Sequence, residues 1–229
     1  MSDDLTSLDG FSGTVRLFPL PNLVLYPFVV QPLHIFEPRY RQLMADALTD
    51  DRLIAMALLK PGWEEDYHLR PPLYPAVCIG RIFKEERLPD GRYNLLLHGV
   101  ARARIVEELP VDKLYRLARV KVLADVPVAS LTLEKELREE LEQRMAGWFA
   151  SQTAAQEQLE KLLQSGLPLG TLCDVFAFAL PLDLKIKQQL LEEAVIERRA
   201  RCLLEQLELC QPAPVLAAER RFPPDFSAN

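Results

Sequence analysis

Residues 79–105, "IGRIFKEERLPDGRYNLLLHGVARARI", carry the pattern that decides the fold of the first half of the chain. Asp90-Gly91 stands between two apolar runs, and this dipeptide accepts the positive φ angles that a tight hairpin turn requires. After the turn every second residue is apolar or small, which is typical of one face of a strand: Leu95, Leu97, Gly99, Ala101, Ala103 and Ile105. The stretch predicts a β-hairpin, with Gly99 at a bulge or a point of close approach.

Further short apolar runs before Pro127 predict the other strands of the same domain. They read "VRLF", "FVVQPLHIF", "RLIAMALL", "PAVCIGRIF" and "YRLARVKVL", beginning at residues 15, 28, 52, 75 and 115. Strands at such short intervals, with only one early helix among them, are typical of a compact β-barrel-like domain.

The early helix is predicted from "HIFEPRYRQLM", residues 34–44. Proline has a fixed φ and no amide hydrogen, so Pro38 suits the first turn of a helix. Glu37 places a negative charge near the positive end of the helix dipole. Four residues then recur at helical spacing and predict one apolar stripe: Tyr40, Leu43, Met44 and Ala47.

The hydrophobic period changes to that of helices after residue 128. A first helix is predicted to be capped by Ser130 or Thr132, and its apolar face comprises Leu133, Leu137, Leu141, Met145, Trp148 and Phe149. A second helix contains Leu159, Leu162 and Leu163. A third is predicted to begin at Thr171, with Asp174 three residues later, and to end at Leu180-Pro181. A last helical region follows, over residues 183–209.

These patterns predict an α+β protein in two parts. Residues 1–127 form a β-rich domain, residues 128–212 form a helical subdomain, and residues 213–229, rich in proline and without a period, form a loose tail. The segment "ADVPVAS", residues 124–130, is predicted to be an exposed connection between the two parts.

Composition excludes several function classes. The chain of 229 residues is 49% hydrophobic with a net charge of −6, which argues against a nucleic-acid footprint. Its cysteines have no CxxC or zinc-ligand spacing and are expected to be buried thiols: Cys78, Cys173, Cys202 and Cys210. The first residues are polar, and no apolar run has the length of a membrane span, so we expect a reduced, cytoplasmic protein.

Three separated stretches in a fixed order resemble the N-terminal substrate-recognition domain of the Lon protease. They are "LFPLPNLVLYPFVVQPLHIFEPRYRQLM" at 17–44, the hairpin stretch at 79–105, and "YRLARVKVLAD" at 115–125. "ALPLDLKIKQQLLEEAVIERRARCLLEQL" at 179–207 is similar to the helices that follow in Lon. The resemblance covers residues 14–210 and implies a PUA-like β domain followed by a helical bundle.

The resemblance also implies a non-catalytic role, as in the stand-alone Lon-domain proteins. The sequence has no GxxxxGK[ST] loop for a nucleotide and no Ser-Lys peptidase segment. The family motif "FEPRY" matches Phe36, Glu37, Pro38, Arg39 and Tyr40. We interpret it as a structural joint between strand and helix, in which Glu37 and Arg39 bond to backbone or to each other.

The family pattern also bears on the last helical region. No glycine or proline interrupts residues 183–209, so helix propensity favours one continuous helix. The resemblance instead implies two helices with a change of direction near residues 193–195, and this is the prediction we adopt.

A polypeptide-binding module needs exposed apolar side chains. The candidates are Leu25, Tyr26 and Phe28 in the proline-flanked "LYPF", together with Trp63 and Tyr67 in the loop after strand "RLIAMALL". Core packing is the alternative for Tyr26 and Phe28, whereas Trp63 is expected to be exposed.

Other chemistries have weaker support. The acidic "WEEDYHL" loop, residues 63–69, is more typical of a solvated surface than of a metal site. Cys78 would need a neighbouring base to act as a nucleophile. A basic stripe formed by Arg81, Lys84, Arg87, Arg102 and Arg104 leaves open an RNA-binding barrel as the alternative function.

The sequence therefore predicts a non-catalytic module that recognises exposed apolar or unfolded polypeptide segments, with a link to proteolytic machinery. No cofactor, no metal and no membrane partner is predicted, and the oligomeric state stays open.

Overall fold

The computed structural model describes residues 8–67, 69–149 and 153–209, and within these ranges the chain is an α+β protein. The strands are β1 (Thr14–Leu20), β2 (Val30–Ile35), β3 (Leu53–Leu59), β4 (Leu73–Arg87), β5 (Tyr93–Leu109) and β6 (Arg116–Val122). The helices are α1 (Pro38–Leu48), α2 (Leu131–Phe149), α3 (Thr153–Gln164), α4 (Leu169–Ala179), α5 (Leu184–Glu192) and α6 (Ile196–Leu209). All of the predicted strands are confirmed.

The described residues form two compact units. Those in 8–123 and 183–192 make the sheet unit, and those in 124–182 and 193–209 make the helical unit. Helix α5 therefore belongs with the sheet, although the predicted boundaries placed it in the helical part. The division into folding domains at residues 127 and 128 stays a prediction, and the predicted tail, 213–229, lies outside the described residues.

The sheet unit contains one mixed six-stranded sheet in the order β2-β5-β4-β3-β1-β6. Strands β1 and β3 are parallel, and the other pairs are antiparallel. The long strand β5 pairs with β4 along its length, with β2 through its first half and with β6 through its second half. The barrel-like shape expected for this domain stays a prediction.

The core of the sheet unit is aliphatic. All seven residues of β3, "LIAMALL", are buried, which explains why this strand is a continuous apolar run without alternation. The main cluster consists of Val15, Leu17, Leu53, Ala55, Ala57, Val77, Ile79, Ala103, Ala118 and Val120. Burying one large aliphatic side chain stabilises a fold by about 1.5–3 kcal/mol, so this cluster provides much of the unit's stability.

The predicted hairpin between β4 and β5 is confirmed. The amide of Leu88 donates to the carbonyl of Arg92 at 2.8 Å, and Gly91 has a φ of 82°. The pairing of β4 with β5 shifts its register between Ile79 and Gly80, beside Gly99. The predicted irregularity at Gly99 is therefore present.

Helix α1 begins at Pro38, as predicted, and it buries the predicted stripe: Tyr40, Leu43, Met44 and Ala47. Glu37 occupies the N-cap position, but its side chain makes no capping bond to the helix. The carboxylate of Glu37 bonds instead to side chains outside the helix.

The helical unit confirms one predicted cap and corrects another. Ser130 caps α2, because its Oγ accepts a hydrogen bond from the amide of Leu133 at 3.3 Å. Helix α4, however, begins at Leu169 after Pro168. The predicted start at Thr171 is wrong, since Thr171 and Asp174 are buried within the helix. Helix α6 packs against both α2 and α4, and α2 packs against α3; a helical bundle stays a prediction.

The predicted break near residues 193–195 is confirmed, since α5 ends at Glu192 and α6 begins at Ile196. Val195 forms an isolated bridge with Val126 of the connecting segment. The amide of Val126 donates to the carbonyl of Ala194 at 2.8 Å, and the amide of Ile196 donates to the carbonyl of Val126 at 3.1 Å. These pairings replace helical hydrogen bonds and explain a break that contains no glycine or proline.

The connecting segment, residues 124–130, is exposed except for Val128, and neither a strand nor a helix crosses Pro127. Asp125 and Val126 are nevertheless bonded to residues of the helical unit. The segment is thus an exposed connection whose first residues are held in place.

Candidate functional site

The structure separates the predicted polypeptide-binding residues into buried and accessible ones. Leu25 and Tyr26 are 1% and 0% exposed, so neither can contact a partner. The hydroxyl of Tyr26 donates to the carbonyl of Lys187 in α5. For Tyr26 the alternative of core packing therefore holds, and both residues are removed from the candidate site.

Phe28, two residues later, points outward and is 47% exposed. Its φ of 65° lies in the left-handed region, which is costly for a residue with a large side chain. Two backbone hydrogen bonds of 2.8 Å hold Phe28 there. The amide of Phe28 donates to the carbonyl of Gly99, and the amide of Gly99 donates to the carbonyl of Val29. Strain maintained by surrounding structure is typical of functional positions.

Phe28 begins a row of outward side chains that follows β2, which we call the outer strip. Val30, Pro32 and His34 share one face of β2, because successive side chains of a strand alternate between faces. Phe28 and Phe36 flank the strand at its two ends, and these five residues make up the outer strip. Phe28, Val30 and Phe36 are 47%, 43% and 39% exposed, whereas Leu33 and Ile35 on the other face, and Val29 before the strand, are buried. The strip ends where the rings of His34 and Phe36 stack, with centroids 6.2 Å apart.

Strand β2 is a terminal strand of the sheet, so one of its two edges has no paired neighbouring strand among the described residues. It pairs with β5 alone among the described strands. On that side Val30 lies opposite His98, and Pro32 lies opposite Leu96. A proline in a strand is typical of an edge position, because it cannot donate a ladder hydrogen bond.

The FEPRY motif forms the joint that the sequence predicted. Glu37 and Arg39 bond to each other, with Arg39 Nε 3.0 Å from Glu37 Oε2. The motif also binds the loop after β3: Tyr67 Oη donates to Glu37 Oε1 at 2.8 Å, and Arg39 Nη1 donates to the carbonyl of Tyr67 at 3.1 Å. The Arg39 guanidinium lies over the rings of both Tyr40 and Tyr67, 4.6 Å from each centroid.

Trp63 and Tyr67 are therefore half-buried parts of this joint rather than free aromatic contacts. Their rings meet edge to face with centroids 5.3 Å apart. Burial and then the hydrogen bond to Glu37 raise the pKa of Tyr67 above its usual value. Both residues keep some accessible surface and remain secondary members of the candidate site.

Tyr40 anchors the joint to the core. Its hydroxyl donates to the carbonyl of Pro19 at 2.8 Å, and its ring packs edge to face on Phe18. Burial raises the pKa of Tyr40 well above its usual value, although the charge of Arg39 partly opposes the shift.

The described residues do not form a metal site, and their cysteines are not in positions that favour nucleophilic chemistry. No group of three metal-ligating side chains occurs among the described residues, and His68 of the acidic loop lies outside them. Cys78 is fully buried, and burial raises the pKa of the Cys202 thiol, with a further contribution from Glu205. A raised thiol pKa lowers the thiolate fraction that a nucleophile needs.

The predicted basic stripe is incomplete at the surface. Arg102 is 3% exposed, and its Nε donates to the carbonyl of Leu191 at 3.3 Å. Arg81 is half-buried and donates to the carbonyl of Asp51. Only Lys84, Arg87 and Arg104 of the predicted stripe are exposed.

A family model for the substrate-binding domain of the ATP-dependent protease La (LON) matches residues 14–208. The chain belongs to the Lon substrate-binding domain family. This Lon-domain chain is 30% identical over 226 residues to Lon protease 2 of Herpetosiphon aurantiacus, covering 97% of the chain and 27% of that relative. It is 27% identical to the Lon protease of Anaeromyxobacter dehalogenans, with 89% and 24% covered.

Two solved structures share the fold of the Lon-domain chain. The N-terminal domain of the Mycobacterium avium complex Lon protease aligns with a TM-score of 0.67 at 18% identity, covering 85% of this chain and 98% of that one. A Lon N-terminal domain protein from Xanthomonas campestris aligns with a TM-score of 0.60 at 24% identity, covering 87% and 99%.

The Lon-domain chain thus spans about a quarter of the length of the curated relatives it matches (27% and 24%). The part matched is the substrate-binding domain rather than a catalytic one. Within the described ranges, no helix has the length and apolarity needed to cross a bilayer.

Proposed function

We propose that the Lon-domain chain is a non-catalytic module that binds extended, apolar segments of other polypeptides on the outer strip. The observation that supports this is the exposure of Phe28, Val30 and Phe36, which lie in or directly beside a terminal strand. Large apolar side chains gathered on one surface are characteristic of a partner-binding site, whereas scattered ones are normal.

The strip suits an extended polypeptide better than a folded one. Outward side chains of a strand repeat every second residue, at about 6.6–6.8 Å. An extended client presents its own side chains with the same repeat, so alternate apolar residues can pack between those of the strip. Unfolded segments expose such residues, whereas folded proteins bury them.

The size of the strip predicts weak, reversible binding. Apolar surface contributes about 25 cal/mol for each Å² removed from water, and ordering a client chain opposes that gain. We therefore expect dissociation constants in about the micromolar range, as for small transient interfaces. A strained, pre-positioned Phe28 reduces the ordering cost on the protein's side.

We propose further that this binding serves proteolysis. The relatives are Lon proteases, and the matched region is the part named for substrate binding. On this proposal the chain selects clients and delivers them to a protease. The alternative of an RNA-binding barrel loses its main support, because Arg102 is buried and bonded.

The proposal is tested by titrating a labelled, permanently unfolded polypeptide with the pure protein and following fluorescence anisotropy. The informative variant is Phe28→Asn combined with Val30→Thr. Asparagine tolerates the left-handed conformation at residue 28, and threonine keeps the branched shape of valine, so the fold is retained while the apolar surface is lost.

We expect saturable binding by the wild-type protein and a loss of affinity of about tenfold or more in the variant. The control is Val106→Thr combined with Val122→Thr, which removes exposed valines (62% and 40%) away from the strip. Equal affinity of the wild-type protein and the strip variant would show that the strip is not the binding surface.

A further inference from the structure

A groove of about 400 Å³ lies in the sheet unit; its lining includes Arg39 and Tyr40 of the FEPRY joint and no residue of the outer strip. Its lining contains four cations and no carboxylate, although the whole chain has a net charge of −6: Arg39, Arg70, Lys113 and Arg116. A volume of this size lies within the range typical of ligand sites.

The carboxylates that pair with these cations are not part of the lining. Glu37 pairs with Arg39 at 2.9 Å, and Asp46 pairs with Lys113 at 3.0 Å. Glu108 pairs with Arg116, whose Nε is 2.8 Å from Glu108 Oε2. These pairs hold the three cations in position and compensate part of their charge.

Arg70 differs from the other three cations. It is exposed, and no ion pair joins it to a carboxylate among the described residues. Its position follows from the chain on either side: the amide of Leu69 donates to the carbonyl of Asp66 at 2.7 Å, and the carbonyl of Pro71 accepts a hydrogen bond from Arg116 at 2.7 Å. The groove therefore has an uncompensated positive charge at a defined place.

Two exposed leucines in the same lining favour a ligand that also carries apolar groups. Leu69 is 70% exposed and Leu114 is 63% exposed. The amide of Leu114 donates to Gln42 Oε1 at 2.7 Å, which holds this side of the groove. Both leucines are available to contact apolar side chains of a ligand.

The combination favours a peptide over a nucleic acid. Single-stranded nucleic acids need accessible aromatic faces on which bases stack. The aromatic residues in the lining, Tyr40 and Tyr115, are 3% and 6% exposed, and their hydroxyls are bonded to Pro19 and Asp46. The accessible apolar groups are leucines, which pack on apolar side chains.

From this geometry we infer that the groove binds an acidic peptide segment, whose carboxylates face Arg70 and Lys113 and whose apolar side chains pack on Leu69 and Leu114. This inference does not depend on the outer strip, since the two surfaces share none of these residues. It adds a requirement for acidic residues in a client or partner of the Lon-domain chain.

The test uses the full chain and three labelled peptides of equal length. In the first peptide leucine alternates with glutamate, and in the other two the glutamates are replaced by glutamine or by lysine. We expect the glutamate peptide to bind, the other two to bind far more weakly, and the binding to weaken as salt is raised.

The variant Arg70→Glu should weaken binding of the glutamate peptide by about fivefold or more, since an exposed ion pair is worth up to about 1 kcal/mol and reversal adds repulsion. Because Arg70 has no carboxylate partner among the residues that the structure describes, the variant should unfold at the wild-type temperature. Arg104→Glu is the matched control, because it makes the same charge change at an exposed arginine of β5.

Leu69→Ser should also weaken binding, without changing its salt dependence. Equal affinity for the glutamate and glutamine peptides, or an Arg70→Glu variant that binds normally, would overturn the inference. If single-stranded RNA displaced the peptide, and Arg70→Glu lost the binding of both RNA and peptide, the inference would also be overturned, because that result would assign the groove to nucleic acid. Loss of peptide binding in the Phe28→Asn, Val30→Thr variant alone would assign the peptide to the outer strip.

Discussion

Gly99 lies directly against the carbonyl group of Tyr26: a Cβ atom built on Gly99 would be 2.0 Å from that oxygen and 3.3 Å from the Sγ of Cys78. No side chain fits there. This close approach keeps Tyr26 in the core and lets the chain turn so that Phe28 faces outward. The position of the outer strip therefore depends on a glycine of a different strand.

The variant Gly99→Ala is predicted to destabilise the protein by about 1–3 kcal/mol or more, because the backbone of Tyr26 cannot give way as a flexible side chain could. Urea unfolding followed by circular dichroism measures the change. The control is Gly147→Ala in α2, where a Cβ meets nothing within 4 Å. The control substitution should stabilise the helix by about 0.5–1 kcal/mol. If Gly99→Ala left the free energy of unfolding unchanged, the close approach would have been relieved at no cost, which would contradict the prediction.

The FEPRY joint is tested by a double-mutant cycle on Glu37→Ala and Tyr67→Phe, since alanine leaves no acceptor for the Tyr67 hydroxyl. The side chains of Glu37 and Tyr67 share a hydrogen bond of 2.8 Å, so the two substitutions should not be additive and should give a coupling energy of about 1 kcal/mol. Each single variant should also increase proteolytic cleavage in the loop after β3. Additive effects and an unchanged loop would mean that the joint does not hold the loop.

The raised pKa of Tyr40 predicts that the protein becomes less stable at alkaline pH. Burial raises the pKa of Tyr40 in the folded protein above its ordinary value of 10.0. In the unfolded chain Tyr40 therefore releases its proton first as the pH rises. The stabilisation is complete below about pH 10 and falls above it by up to about 1.4 kcal/mol per pH unit.

The measurement compares urea unfolding of the wild-type protein and Tyr40→Phe from about pH 8 to about pH 11. At pH 8 the variant should be less stable by about 1 kcal/mol, since it lacks the hydrogen bond to Pro19. Above pH 10 the difference should shrink, because phenylalanine does not titrate. A difference that stays constant over this range would contradict a raised pKa for Tyr40.

In the helical unit, Arg199 is 1% exposed and binds two carboxylates. Its Nη1 and Nη2 donate to Asp125 at 2.9 and 2.6 Å, and Nη1 is 3.6 Å from Asp174 Oδ1. Arg199→Met should destabilise the unit by about 3–5 kcal/mol, because the buried Asp174 would lose the positive charge of Arg199.

Thermal unfolding measures this effect, and Arg201→Ala on the same helix is the control. Arg201 pairs with Glu197 at the surface, where the two side chains are 54% and 33% exposed, so its loss should cost about 0.5 kcal/mol or less. Similar destabilisation by the two substitutions would show that the buried ion pairs of Arg199 contribute no more to stability than an exposed pair does.

The strands, the hairpin and the first helix could be predicted because each depends on local pattern. Asp90-Gly91 determines a turn by its backbone preferences, and the stripe from Tyr40 to Ala47 determines the face that α1 buries. The start of α4 could not be predicted locally. Thr171 and Asp174 match a capping pattern, but Asp174 is used as a buried partner of Arg199, which lies far away in sequence.

The candidate site was predicted only in part for a similar reason. Residue type alone does not distinguish Tyr26, held in the core by Gly99 and Lys187, from Phe28, held outside it. Val30 was missed, because "FVVQPLHIF" carries apolar residues on both faces and has no clean alternation that would mark Val30 as outward. Which face is outward depends on the long-range pairing with β5.

Binding of extended clients on the outer strip is measured by amide hydrogen exchange in the presence of a permanently unfolded polypeptide. We expect slower exchange in peptides that cover residues 28–36 and in the facing part of β5, residues 94–98, when the polypeptide is bound. Unchanged exchange in both segments under saturating conditions, or protection confined to the groove residues 69–70 and 113–116, would contradict binding on the outer strip.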